Sequence, residues 1–133
     1  MSQENVDLVR RSFLTFQSGD VEGSIRQFAN PDVEFVSRFG AMDGRTFRGM
    51  AEIRRYIADM AETWDRYERE LEELVDAGDA VVAILKITAV SKATGLEVDE
   101  RIGLVYWLEE GRIVRMVSYS KIDEALQAAG LSE

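Results

Sequence analysis

From Tyr67 to Lys121 the chain runs through long stretches of β-branched and aliphatic residues, broken only by three short segments that each carry a glycine. Val81 to Val90, Leu96 to Leu108 and Ile113 to Tyr119 have the composition of strands. The breaks are Asp76-Ala77-Gly78-Asp79, Lys92-Ala93-Thr94-Gly95 and Glu109-Glu110-Gly111-Arg112, each short enough for a hairpin and each with a glycine free to adopt positive φ. Strands joined this tightly pair antiparallel, so the stretch predicts a four-stranded meander. The mixed-charge run Glu68 to Glu73 reads as a solvated strand or helix end.

A sheet with an apolar face has to bury it, and the first half of the chain supplies the cover. Val6, Val9, Phe13 and Phe16 recur at three-to-four spacing, which predicts a helix over 3–18 capped by Ser2 or Asn5. Gly19 stops it, and Asp20 caps a second helix reaching Phe28, with Val21, Ile25 and Phe28 inward. Pro31, the only proline, turns the chain out of helix into a strand carrying Val33, Phe35 and Val36. Ser37 to Gly49 shows no periodicity and reads as a loop arching over one end, a mobile lip. Met50, Ile53, Tyr56, Ile57, Met60 and Trp64 mark a third helix, and Asp123 to Ala129 a last one, with Asp123 as its N-cap and Gly130 as its stop. The expected architecture is one α+β domain over 1–133: a cone-shaped, curved antiparallel sheet wrapped around three N-terminal helices, plus a short C-terminal helix.

Composition narrows the chemistry. The 133 residues include no cysteine and no histidine, which removes thiolate and imidazole nucleophiles, the commonest general base and the usual metal ligands. The expectation is no metal and no cofactor. A formal net charge of −9 repels phosphate backbones and argues against nucleic-acid binding. The polar, acidic N-terminus and the lack of a long apolar run predict a cytoplasmic protein with no membrane association.

The succession Phe16-Gln17-Ser18-Gly19-Asp20, Pro31-Asp32-Val33-Glu34-Phe35, Phe47-Arg48-Gly49, Ile53-Arg54-Arg55-Tyr56, Asp76-Ala77-Gly78-Asp79 and Gly111-Arg112-Ile113-Val114 resembles SnoaL-like proteins of the nuclear-transport-factor-two-like superfamily. That fold is shared with ketosteroid isomerases, limonene-epoxide hydrolases and polyketide cyclases, so the likeness implies a fold rather than a reaction. Motif by motif, the relatives' working residues are absent. The isomerase base falls on Phe35, and its two oxyanion donors fall on Gly103 and Ser12. The two aspartates of the epoxide hydrolase triad fall on Gly103 and Ser118, while its arginine is kept as Arg101. The cyclase aspartate falls on Ser120.

Period-two geometry puts Asp99, Arg101, Gly103, Val105 and Trp107 on one face of their strand, and the resemblance implies that this face lines the cone. There Arg101 pairs with Asp99 or a neighbouring-strand glutamate, lies at the open rim in water, or clamps a carboxylate, enolate or phenolate of a ligand. Gly103 marks a bulge or a close approach by something else. Ser118 and Ser120 share a face with Met116, where they hydrogen-bond a ligand or make room. Tyr56, Met60 and Trp64, with Phe16 and Phe35, are candidates for an aromatic cup. Three functions are compatible with this pattern: binding of a small apolar or aromatic molecule in the cone; a cyclase, isomerase or hydrolase using Asp99, Glu34 or Glu73 beside Arg101; and a homodimeric scaffold paired through the convex sheet face carrying Lys86 and Thr88. A homodimer is what the resemblance implies.

Overall fold

The computed structural model describes residues 2–38 and 44–131. The order is α1 (Ser2–Gln17), α2 (Val21–Phe28), β1 (Ala29–Arg38), β2 (Thr46–Arg48), α3 (Gly49–Thr63), β3 (Trp64–Asp76), β4 (Ala80–Ser91), β5 (Glu97–Glu109), β6 (Arg112–Tyr119) and α4 (Ile122–Ala128). Val6, Val9 and Phe13 bury the inner face of α1. The Asp20 carboxylate caps α2 by accepting from the Gly23 N–H at 2.9 Å, satisfying a donor the helix leaves free. At the other end of the chain the expected cap is not used: α4 begins after Lys121, and Asp123 lies inside its first turn, accepting from the Glu124 N–H.

The six strands form one curved, unclosed sheet in the order β2-β1-β6-β5-β4-β3. β3 through β6 are the expected meander, with the charged run Glu68 to Glu73 inside β3. The first half of the sheet departs from expectation. β1 lies parallel to β6, so the sheet is mixed rather than wholly antiparallel. β1 also begins at Ala29, ahead of Pro31, and a register shift between Ala29 and Glu34 takes up the residue that has no N–H to give. Thr46–Arg48 pairs antiparallel with β1 as an edge strand, where the sequence suggested only loop. The tip of the expected mobile lip, residues 39–43, lies outside the described residues.

The sheet is apolar on both faces. On the concave side Val81, Ala83, Leu85 and Ile87 of β4 and Ile102, Leu104 and Tyr106 of β5 pack against α1, α2 and α3. On the convex side Val82 and Val105 pack under Ala125 of α4, with Trp107 and Leu126 beside them. Gly103 belongs to the convex side: a methyl group there would sit 2.4 Å from the Ala125 Cβ. The residues that alternate with it, Leu104 and Tyr106, therefore face the helices.

Candidate functional site

Under the helices, the concave face leaves a chamber of about 60 Å³. Its sheet wall is Phe35, Leu104, Tyr106 and Met116, which the register brings side by side: Phe35 opposes Met116, and Met116 opposes Tyr106. Helices close the other side with Phe16, Ile25, Ile53 and Tyr56. Phe35, Phe47 and Tyr56 form an aromatic cluster, with Tyr56 centroids 4.8 Å from Phe35 and 5.2 Å from Phe47 in tilted and edge-on arrangements. A wider pocket of about 590 Å³ shares Phe16, Tyr56 and Arg69 with the chamber and adds Met60 and Tyr67. The second volume lies in the range that holds small ligands.

Polar groups are few in the chamber, whereas the wider pocket also carries Gln17, Glu68, Glu70, Lys86 and Thr88. Ser12 and Ser24 are buried in the chamber wall and satisfy one another, hydroxyl to hydroxyl at 3.0 Å, with Ser24 also donating to the Ser12 carbonyl. Arg69 is the one charged side chain lining the chamber among the described residues. It stands on β3 between Tyr67 and Leu71, which point the same way, and Gln17 at the end of α1 donates to its carbonyl at 2.6 Å. Its guanidinium carbon lies 5.3 Å from the Phe13 ring centroid and 4.8 Å from that of Phe16. Burial pushes the Tyr106 hydroxyl up to about 12 against the opposing pull of Arg69. Tyr56 is raised for the same reason, and Tyr67 is raised by burial and by its neighbour Tyr56. All three phenols thus remain neutral hydrogen-bond donors at ordinary pH.

Of the residues singled out in the sequence, Phe16, Phe35, Tyr56 and Met116 are brought together around the chamber, and Met60 lines the wider pocket. Trp64 packs against Tyr67, at 5.9 Å between centroids, and lines neither. Ser118 is buried on the concave face, opposite Leu104, but outside the chamber lining. Ser120 lies beyond the end of β6 and is exposed. Two placements are reversed. Arg101 faces away from the cone, its side chain 62% exposed, and its Nε and Nη2 meet Glu72 Oε1 at 2.8 and 2.7 Å. Gly103 follows it to the convex face, where the close approach is by α4. β5 is apolar on both faces along its second half, so hydrophobicity did not reveal which one is inner, and a shift of one residue inverts every side chain.

The expected substitute acids are not in the chamber either. Glu34 binds Arg48 at 2.8 Å and Arg115 at 3.1 Å, Asp99 and Glu73 are exposed, and no carboxylate among the described residues lines the chamber. Among the described residues no three acidic side chains gather into a set that could hold a metal ion. No described helix is long and apolar enough to cross a membrane. Sequence reading missed Arg69, Tyr67, Tyr106 and Ser24. The available signal for Arg69 was the alternation Tyr67, Arg69, Leu71 within a run whose acidic residues dominate its appearance.

Residues 9–116 match the SnoaL-like domain family. The chain is 34% identical to the uncharacterized protein Rv0034 of Mycobacterium tuberculosis over 118 residues, covering 86% of this chain and 87% of that protein. Among solved structures it is similar to an NTF2-like protein of Burkholderia thailandensis, with a TM-score of 0.79, 24% identity and 95% of each chain covered. It is also similar to TerC co-crystallized with polyporic acid, with a TM-score of 0.74 and 22% identity, over 89% of this chain and 92% of that one. At such identities the structural likenesses establish the fold alone.

Proposed function

The chain belongs to the SnoaL-like domain family, and from that premise we propose that it binds a small apolar or aromatic molecule in the concave-face pocket. The observation that carries this reading is the wall itself: aromatic and aliphatic side chains from the sheet and three helices converge on a chamber that opens beside a wider pocket, with Phe16, Tyr56 and Arg69 common to both. Apolar walls with a few placed polar groups are the usual make-up of small-molecule sites. The complex of TerC with polyporic acid supports the reading by analogy of fold. No carboxylate among the described residues lines the chamber, and of the two that line the wider pocket Glu68 is paired with Arg66, so the reading supported best is one of binding.

A thermal-shift screen against small aromatic compounds tests it. A ligand at a hundred times its Kd adds about 2.7 kcal/mol to stability, a readily measured rise in Tm. The rise is expected to disappear in the double variant Met60→Trp/Met116→Trp, which fills the wider pocket from α3 and the chamber from β6. An equal rise in that variant, or no rise with any aromatic compound, would overturn the proposal.

A further inference from the structure

Arg69 is partly buried, stacked on Phe13 and Phe16, and common to the chamber and the wider pocket. Several arginines elsewhere meet acids: Arg48 and Arg115 share Glu34, Arg54 binds Glu22, and Arg101 binds Glu72, whereas Arg11, exposed on α1, stacks on Phe28 and Arg112 donates to backbone carbonyls. What sets Arg69 apart is its place in the wall of both pockets. Among the described residues no carboxylate forms an ion pair with Arg69. Its ring contacts are two aromatic faces, which attract a cation without neutralising it, and of the two carboxylates that line the wider pocket with it, Glu68 pairs with Arg66 and neither forms an ion pair with Arg69. A cation removed from much of its water, with its charge uncompensated, leaves a favourable position for an anion. The surroundings suit an oxyanion, since Tyr56 and Tyr67 border the same space and keep their phenolic protons.

We infer that Arg69 is the anion-recognition residue of this pocket, and that the ligand is an apolar or aromatic monoanion whose negative oxygen sits against the Arg69 guanidinium. The inference rests on the proposed small-molecule pocket and adds its charge class. It also gives Arg69, on β3, the part that the sequence resemblance implied for Arg101.

Calorimetric titration with benzoate and its neutral isostere benzamide tests it. The wild-type protein is expected to bind benzoate at least about ten-fold more tightly, the ratio that one charge-assisted hydrogen bond supplies. Arg69→Met is expected to abolish the preference while leaving benzamide binding in place, and Arg69→Lys, which keeps the charge with less disturbance, to retain part of it. Arg101→Gln is expected to keep it in full. Equal binding of the two probes by the wild type, or an unchanged preference in Arg69→Met, overturns the anion assignment and leaves the aromatic pocket standing. Binding of neither probe overturns both.

Discussion

At Gly103 the absence of a side chain is a packing requirement. A Cβ would lie 2.4 Å from that of Ala125, closer than two carbons sit, so α4 would have to lift from the sheet or β5 bend away. Gly103→Ala is therefore expected to lose about 1–3 kcal/mol in urea unfolding, as overpacked sites do. Pairing it with Ala125→Gly should recover most of the loss; a loss that persists in the double variant would place the cause elsewhere. The same geometry shows why the site was only half legible in the sequence. Phe16, Phe35, Tyr56 and Met116 were recognisable because helical spacing and strand alternation each point to one inner face. Arg69 was hidden by its neighbours: Glu68 and Glu70 are exposed on an edge strand, so the run resembles a solvated surface although every second residue points inward.

Among the elements, those defined by periodicity and by turn residues appear where the sequence put them. The hairpin at 109–112 is an example: Glu110 and Gly111 both adopt positive φ, at 51° and 75°, the backbone that a tight two-residue turn requires. Elements defined by partners from far along the chain were not legible. β1 runs through Pro31 because β6, some eighty residues later, lies parallel beside it, and nothing local to Ala29 or Asn30 announces that pairing. β2 is three residues long and exists by pairing with β1. The inversion of β5 has the same origin. Val105 is as buried as Leu104 because α4 returns to cover the convex side, so a strand read alone as two-sided could not declare its inner face.

Across the whole molecule, the buried phenols tie stability to alkaline pH. Below about pH 10 a tyrosine is neutral both folded and unfolded and adds no pH dependence. Above it, an unfolded tyrosine ionises while Tyr106 holds its proton up to about 12, so the folded state binds more protons and stability falls as pH rises. Tyr56 and Tyr67 act in the same direction. Unfolding free energies from urea titrations are expected to drop between about pH 10 and 12, by up to about 1.4 kcal/mol per pH unit from Tyr106, and Tyr106→Phe should flatten that slope. An unchanged slope in Tyr106→Phe would mean that other groups set the alkaline limit.

The pocket itself sits at this scale too, since α1, α2, α3 and four of the strands contribute to its walls. The most direct measurement of whether it is the binding site is a benzoate titration followed by methionine-methyl NMR. Met116 lines the chamber and Met60 the wider pocket, whereas Met50 packs against the core outside both. The expected result is that the Met116 and Met60 methyl resonances shift together along one binding curve while Met50 moves least. Met116 and Met60 resonances that both stay in place while others titrate would contradict binding on the concave face.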